Sequence, residues 1–184
     1  MDIRLTQTRD WMLLKRVRLA ALQDTPTAFG VSYQTAAHYS DQQWQDRASS
    51  TGSQFWLAFK DQQPVGMIGA AVSGANRYNL IGMWVAPDAR GSGVAAGLVD
   101  AVKSSGRDQG HECVYLDVAP ENARAAHFYL KQGFVFINEW EPLESPPYQG
   151  ADHALPSVEL TRPRLCWPEA CSAREKIASR KSAR

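Results

Sequence analysis

The chain has 184 residues, 44% of them apolar, with 20 lysines and arginines against 19 aspartates and glutamates. That length suits one compact domain, and a formal charge of +1 gives no electrostatic case for a nucleic-acid or membrane partner. Three cysteines, Cys113, Cys166 and Cys171, make no disulfide framework, and the opening MDIRLTQTRDW lacks the apolar stretch of a secretory signal, so a cytoplasmic protein is expected.

Ile3 and Leu5 alternate with polar neighbours and predict a short first strand. Asp10 is placed to cap a helix over WMLLKRVRLAALQD, whose Leu13, Leu14, Val17, Ala20 and Ala21 share a face, and Thr25–Pro26 ends it. A second helix is expected after Ser40, through DQQWQDRAS. Residues 54–59 and 65–73 predict two strands joined by the turn-like KDQQP, a hairpin, and NLIGMWVA predicts a third strand. A long helix follows over residues 91–108, with Gly110 as its stop. CVYLDVA carries bulky residues on both faces, the pattern of a central strand. Residues 122–132 are helical in pattern, Gly133 closes them, and FVFINEW is again a strand. Residues 141–156 are rich in proline and polar groups and predict a loop before a last strand, SVELT. The expected organisation is therefore one domain over residues 1–162 and a basic, flexible tail over 163–184.

The most informative stretch is WVAPDARGSGVAAGLVDAV, where a strand gives way to a glycine-studded turn and a helix. A helix start leaves backbone N–H groups without partners, so Gly91, Ser92, Gly93, Val94 and Ala95 can present amides to an anion, with Arg90 adding charge. The structural alternative is a tight bend that needs glycine and holds nothing. A nucleoside triphosphate loop would need GxxxxGK[ST], and no lysine stands here. GSGVAA satisfies the dinucleotide pattern GxGxx[GA], with Glu112 or Asp117 near the ribose distance. The motif lies in mid-chain, however, and the roughly ninety residues after it are too few for a second mononucleotide half and a substrate domain.

Residues Arg90 to Ala95 resemble the [QR]-x-x-G-x-[GA] signature of the GNAT N-acetyltransferases. LDVAPENARAAHFYLKQGF, from Leu116 to Phe134, resembles their second strand–helix junction, and RLAALQDTPTAFG is similar to their acceptor-side helices. The likeness covers roughly residues 3–162. It implies an α/β fold, a mixed and twisted sheet flanked by helices, and acetyl-coenzyme A (acetyl-CoA) as cofactor. Its pyrophosphate would lie on Gly91, Ser92, Gly93, Val94 and Ala95 beside Arg90, and its pantetheine arm along Met83, Trp84 and Val85. The strand ending at Val85 and the one around residues 113–118 would splay into a slot for the thioester. Asn122 matches the asparagine that holds the cofactor arm, and Tyr129 the tyrosine near the coenzyme sulfur. Many relatives pair as dimers, so a homodimer is an open expectation.

The implied reaction is direct transfer of acetyl to a primary amine of a small molecule. The alternatives are a protein N-terminus or another acyl group, and a coenzyme-binding regulatory module with little turnover. Tyr129 is the expected general acid, seven residues after Asn122 with the small Ala125 and Ala126 between, unless it is a packing residue. Backbone N–H groups near Trp84 or Val85 would stabilise the developing oxyanion. Many relatives place a glutamate on the strand equivalent to NLIGMWV, and this one has none. A water chain to Glu139, Glu141, Asp117 or Tyr33 is the substitute. Phe29, Tyr33 and Trp84 are expected to wall the acceptor pocket. Asp24, Asp41, Glu141, Glu144 and Asp152 would make that pocket acidic and suit a cationic amine. Cys113 is expected to be a packed thiol, and the four histidines have no metal-ligand spacing.

Overall fold

A computed structural model describes residues 1–120, 122–142 and 161–168. The strands are β1 (Asp2–Leu5), β2 (Gln54–Lys60), β3 (Gln63–Val72), β4 (Tyr78–Val85), β5 (Cys113–Asp117), β6 (Val135–Pro142) and β7 (Thr161–Pro168). The helices are α1 (Trp11–Asp24), α2 (Tyr33–Ala37), α3 (Asp41–Ala48), α4 (Val94–Asp108) and α5 (Ala123–Lys131). The sheet runs β1-β2-β3-β4-β5-β7-β6. Every adjacent pair is antiparallel except β4 and β5, which are parallel because α4 crosses over between them.

Strand alternation sends residues to two cores. Trp56, Ala58, Ile68, Ala70, Tyr78 and Leu80 pack beneath α4, whose Val94, Leu98, Val99 and Val102 recur at helical spacing and are all buried. Leu57, Phe59, Met67 and Trp84 face the other way, against Leu14, Val17 and Ala21 of α1 and Trp44 of α3. Hence the expected α/β sheet flanked by helices is the fold observed.

Three local differences have physical reasons. Asp10 stands at the N-cap of α1, but its carboxylate accepts from Arg4 at 2.7 and 2.9 Å and from the Gln7 N–H at 2.9 Å instead of capping that helix. The helix α2 was not expected; Ser32 caps it, accepting the Thr35 N–H at 3.1 Å.

The third difference corrects the domain boundary. The last strand is Thr161–Pro168, so residues 163–168 belong to the sheet and not to a tail. Its arginines and prolines hide it from pattern reading. Arg164 is buried against Asp117, and Pro163 adjoins an irregular step in the β6–β7 pairing where a missing N–H is tolerated. Of the expected strand SVELT only Thr161 is described, at the start of β7, and residues 141–142 of the expected loop continue β6; residues 157–160, 143–156 and 169–184 lie outside the described residues.

Candidate active site

The site begins with a fault in the sheet. β4 meets β5 only through Tyr78↔Val114 and Asn79↔Tyr115, so from Leu80 onward the two strands part. The cause lies in β4 itself. Met67 pairs with Trp84 and Gly69 with Ile81, which leaves Gly82 and Met83 opposite the single residue Ile68. This is a β-bulge, and Gly82 takes a φ of +59°, a conformation only glycine adopts cheaply. The extra residue bends β4 away and leaves its groups past Asn79 without a strand partner on the β5 side. The expected splay of the two strands is present.

Beyond Val85 the chain makes one turn over Pro87–Ala89 and reaches the glycines. Gly91 and Gly93 have φ of +80° and +87°, and a Cβ on either would meet nothing within 4 Å. Glycine is therefore required by the backbone, and the space above the turn is open. The ladder of α4 begins with the Gly97 N–H donating to the Gly93 carbonyl at 3.1 Å, which leaves Val94, Ala95 and Ala96 as open donors. The Ser92 hydroxyl turns back to the Ala89 carbonyl at 2.7 Å, so Ser92 can serve a ligand only through its main chain.

Arg90 does not extend over the turn. Its Nε–H donates to the Val85 carbonyl at 2.9 Å, and its guanidinium pairs with Asp24 at the end of α1. Asp24 also accepts the Trp84 Nε1–H at 2.9 Å. That indole hydrogen bond, together with Arg90, holds the Asp24 carboxyl below the usual range. Asp24 thus ties the end of β4 and the glycine turn to the acceptor-side helix. Trp84, expected as an acceptor wall, is 8% exposed, packs under α1 and is not among the residues lining the two hollows described below.

After β5, Asn122 stands exposed at the N-cap of α5, its side-chain oxygen accepting the Ala125 N–H at 3.0 Å. Tyr129 is buried, its ring edge-on to Phe128 and Phe134 with centroids 5.2 and 5.6 Å away. Burial pushes the phenol pKa up, so at neutral pH it holds its proton. Packing and proton donation are thus compatible in one residue.

Two hollows share Ile81 as a lining residue. One, of about 130 Å³, is lined by Arg18, Tyr39, Arg47, Phe55, Ile81 and Gly82 among others. The second is an open cleft of about 690 Å³ that includes Asn79, Arg77, Asp117, Glu139 and Arg164. Both carboxylates in the cleft are held by arginine: Arg164 donates to Asp117 at 2.9 and 3.2 Å, and Arg77 pairs with Glu139. Phe29 contributes by stacking on the Arg18 guanidinium at 4.4 Å. Tyr33 is 37% exposed and outside both linings.

Of the carboxylates expected to make the acceptor pocket acidic, the described Asp24 and Asp41 line neither hollow. Asp24 is committed to Trp84 and Arg90, Asp41 lies at the surface 3.5 Å from Lys15, and the smaller hollow is walled by two arginines. The side chain of Glu141, and Glu144 and Asp152 altogether, lie outside the described residues. Sequence reasoning missed Gly82, Arg18 and Arg47. A glycine inside a strand signals a bulge, and Arg18 falls between Leu14 and Ala21 on the buried stripe of α1, where a charge is out of place.

Cys113 and Cys166 are free thiols near the closed end of the β4–β5 pair. A hydrogen bond with Cys166 lowers the Cys113 pKa to about 7, and the same contact raises that of Cys166.

The profile of the acetyltransferase (GNAT) family matches residues 18–134. N-acetyltransferase 8B of Rattus norvegicus is 34% identical over 99 residues, which are 51% of this chain and 45% of that protein. N-acetyltransferase 8B of Homo sapiens is 34% identical over 124 residues, 62% of this chain and 55% of that protein. The chain thus matches about half the length of these curated relatives. Among solved structures, a ribosomal-protein-alanine N-acetyltransferase from Brucella melitensis superposes with a TM-score of 0.67 at 18% identity, covering 91% of this chain and 99% of that one. A putative streptothricin acetyltransferase from Bacillus anthracis, solved with acetyl coenzyme A, gives 0.55 at 18% identity over 68% and 67%. With a profile match from α1 through α5 and the same fold in these structures, the chain belongs to the acetyltransferase (GNAT) family.

Proposed function

We propose that the protein transfers an acetyl group from acetyl-CoA to a primary amine of a small molecule. The observation that carries this is a juxtaposition: β4 parts from β5 next to a glycine turn whose helix-start donors are open. The residues fit the cofactor. Gly91, Ser92, Gly93, Val94 and Ala95 would hold its diphosphate through main-chain N–H groups, because the space above the two glycines is clear and the helix start favours an anion. Met83, Trp84 and Val85 offer main-chain groups to its arm, and exposed Asn122 stands at the opposite wall. Arg90 acts by fixing the turn, since its guanidinium is already bound to Val85 and Asp24.

When bound, acetyl-CoA supplies an acyl group activated as a thioester. The chain's contribution is placement and fixed donors. Main-chain N–H groups of β4 that face the gap left by β5 can donate to an oxygen gaining negative charge, a kind of stabilisation worth about 3 kcal/mol per donor in acyl transfer. Tyr129 keeps its proton at the hydroxyl oxygen and can offer it as a hydrogen bond to the sulfur of a departing thiolate, which takes its proton from water in the cleft. Asp117 and Glu139 are tied to arginines, and β4 carries no carboxylate, so the amine is expected to arrive neutral or lose its proton to water in the cleft.

The test is thiol release from acetyl-CoA with a panel of amines. The expected result is turnover that falls about a hundredfold or more in Tyr129→Phe, with coenzyme A affinity retained. A second reading, a coenzyme-binding module with little turnover, is favoured by the missing β4 carboxylate. Tight coenzyme binding with no thiol release on any amine would select it.

A further inference from the structure

We infer that the acceptor is an amine that also carries a carboxylate, and that Arg18, supported by Arg47, seats this carboxylate beside the β4 bulge. This rests on the acetyltransferase reading above and specifies its substrate class.

Arg18 lies on the buried stripe of α1, and its Nη1 is shut off from water without a hydrogen-bond partner among the described residues. An arginine has five N–H donors in a rigid fork, and leaving a buried donor unmet is strongly unfavourable. The Phe29 ring 4.4 Å from its guanidinium carbon offers attraction to the charge but no acceptor for the N–H groups. Arg47 lines the same hollow from α3. It donates to the Gln43 carbonyl at 3.0 Å and lies 4.0 Å from the Tyr39 ring centroid. No aspartate or glutamate is among the lining residues, so two cations share a hollow with no resident anion. Burial, with a smaller contribution from Arg47, lowers the Arg18 pKa to about 10, which still leaves it charged at neutral pH.

The hollow is also in the right place. Gly82, the bulge residue, lines it, and a Cβ at that position would lie 3.2 Å from Arg18 Nη1. The guanidinium therefore packs directly on the backbone step that opens the slot. Ile81 lines both this hollow and the open cleft, so a molecule anchored at Arg18 can extend toward the parted strands. At about 130 Å³ the hollow takes a carboxylate and a few further atoms; with Nη1 sealed against Gly82, the carboxylate would meet the Nε–Nη2 edge of the guanidinium, whose two parallel N–H groups match its oxygens. A polycationic acceptor would meet like charge here.

Matched amines test this on the unmodified protein: leucine against 3-methylbutylamine, and phenylalanine against phenethylamine, each with acetyl-CoA and thiol release as the readout. The carboxylated member is expected to have the higher kcat/KM by about thirtyfold, the value of a lost hydrogen-bonded charge contact. Arg18→Met should erase that ratio while coenzyme A affinity stays, Arg18→Lys should restore part of it, and Arg47→Met should reduce it. Without acetyl-CoA, calorimetric titration with leucine should show binding to the wild type that Arg18→Met loses. Equal rates within each pair would overturn the inference and leave the acetyltransferase reading standing. A preference for O-phosphoethanolamine over the amino acids would overturn the carboxylate assignment. Absence of turnover on every amine would instead defeat the acetyltransferase reading, and the leucine titration would then decide the carboxylate seat alone.

Discussion

The two sides of the slot are built from different materials. The side proposed for the coenzyme is made of main chain: positive φ at Gly91 and Gly93, open donors at the start of α4, and a strand released by a bulge. The side proposed for the acceptor is made of side chains on α1 and α3, chiefly Arg18 and Arg47 over the residues of β4. A site made of backbone recognises what is constant in every turnover, and a site made of side chains can change its substrate by single substitutions. Asp24 joins them, one carboxylate holding Trp84 of β4 and Arg90 of the turn from the end of α1.

The largest effect expected from this contrast comes from Gly93→Val. A branched side chain at a φ of +87° is strained even though its Cβ would meet nothing within 4 Å, so the turn must reshape. Coenzyme A affinity should fall about a hundredfold, as for two charge-assisted hydrogen bonds lost, while leucine binding at Arg18 persists. Unchanged affinity would break the claim that the coenzyme side is a backbone site. A smaller effect is expected from Asp24→Asn, which loosens the link between the sides. The Asp24 side chain is 27% exposed, so solvent screens the pair and the loss of stability should be about 1 kcal/mol. Its pH signature has a definite sign. The folded-state pKa is lowered, so the carboxylate's contribution is fully present above the unfolded value near about 4 and disappears as pH falls through the lower folded value. Urea unfolding across that acid range should show a shallower pH slope for Asp24→Asn than for the wild type.

The same contrast explains what could be read from the amino-acid sequence. Gly91, Gly93 and the strands and helices around them were legible because a positive φ admits few residues, and hydrophobic period reports which face is buried. Tyr129 and Asn122 were locatable from the strand–helix junction they share. The splay of β4 was expected, but its cause, Gly82, was not identified, because one glycine in a strand resembles many others until the partner's register is known. The arginines of the smaller hollow were not anticipated because loop carboxylates are visible in a list of residues, whereas a buried arginine is visible only once α1, α3 and β4 are assembled around it. β7 was displaced for a related reason: Arg164 looks like a solvated residue until Asp117 is found beside it.

The central claim is that main-chain donors after Arg90 hold a coenzyme diphosphate and set its acyl end in the gap between β4 and β5. Amide hydrogen exchange with and without acetyl-CoA tests it most directly. The account predicts new protection concentrated at residues 91–96 and at residues 82–85 of β4, with α3 unaffected. Bound acetyl-CoA that left both stretches exchanging as before, and protected another part of the molecule, would contradict it.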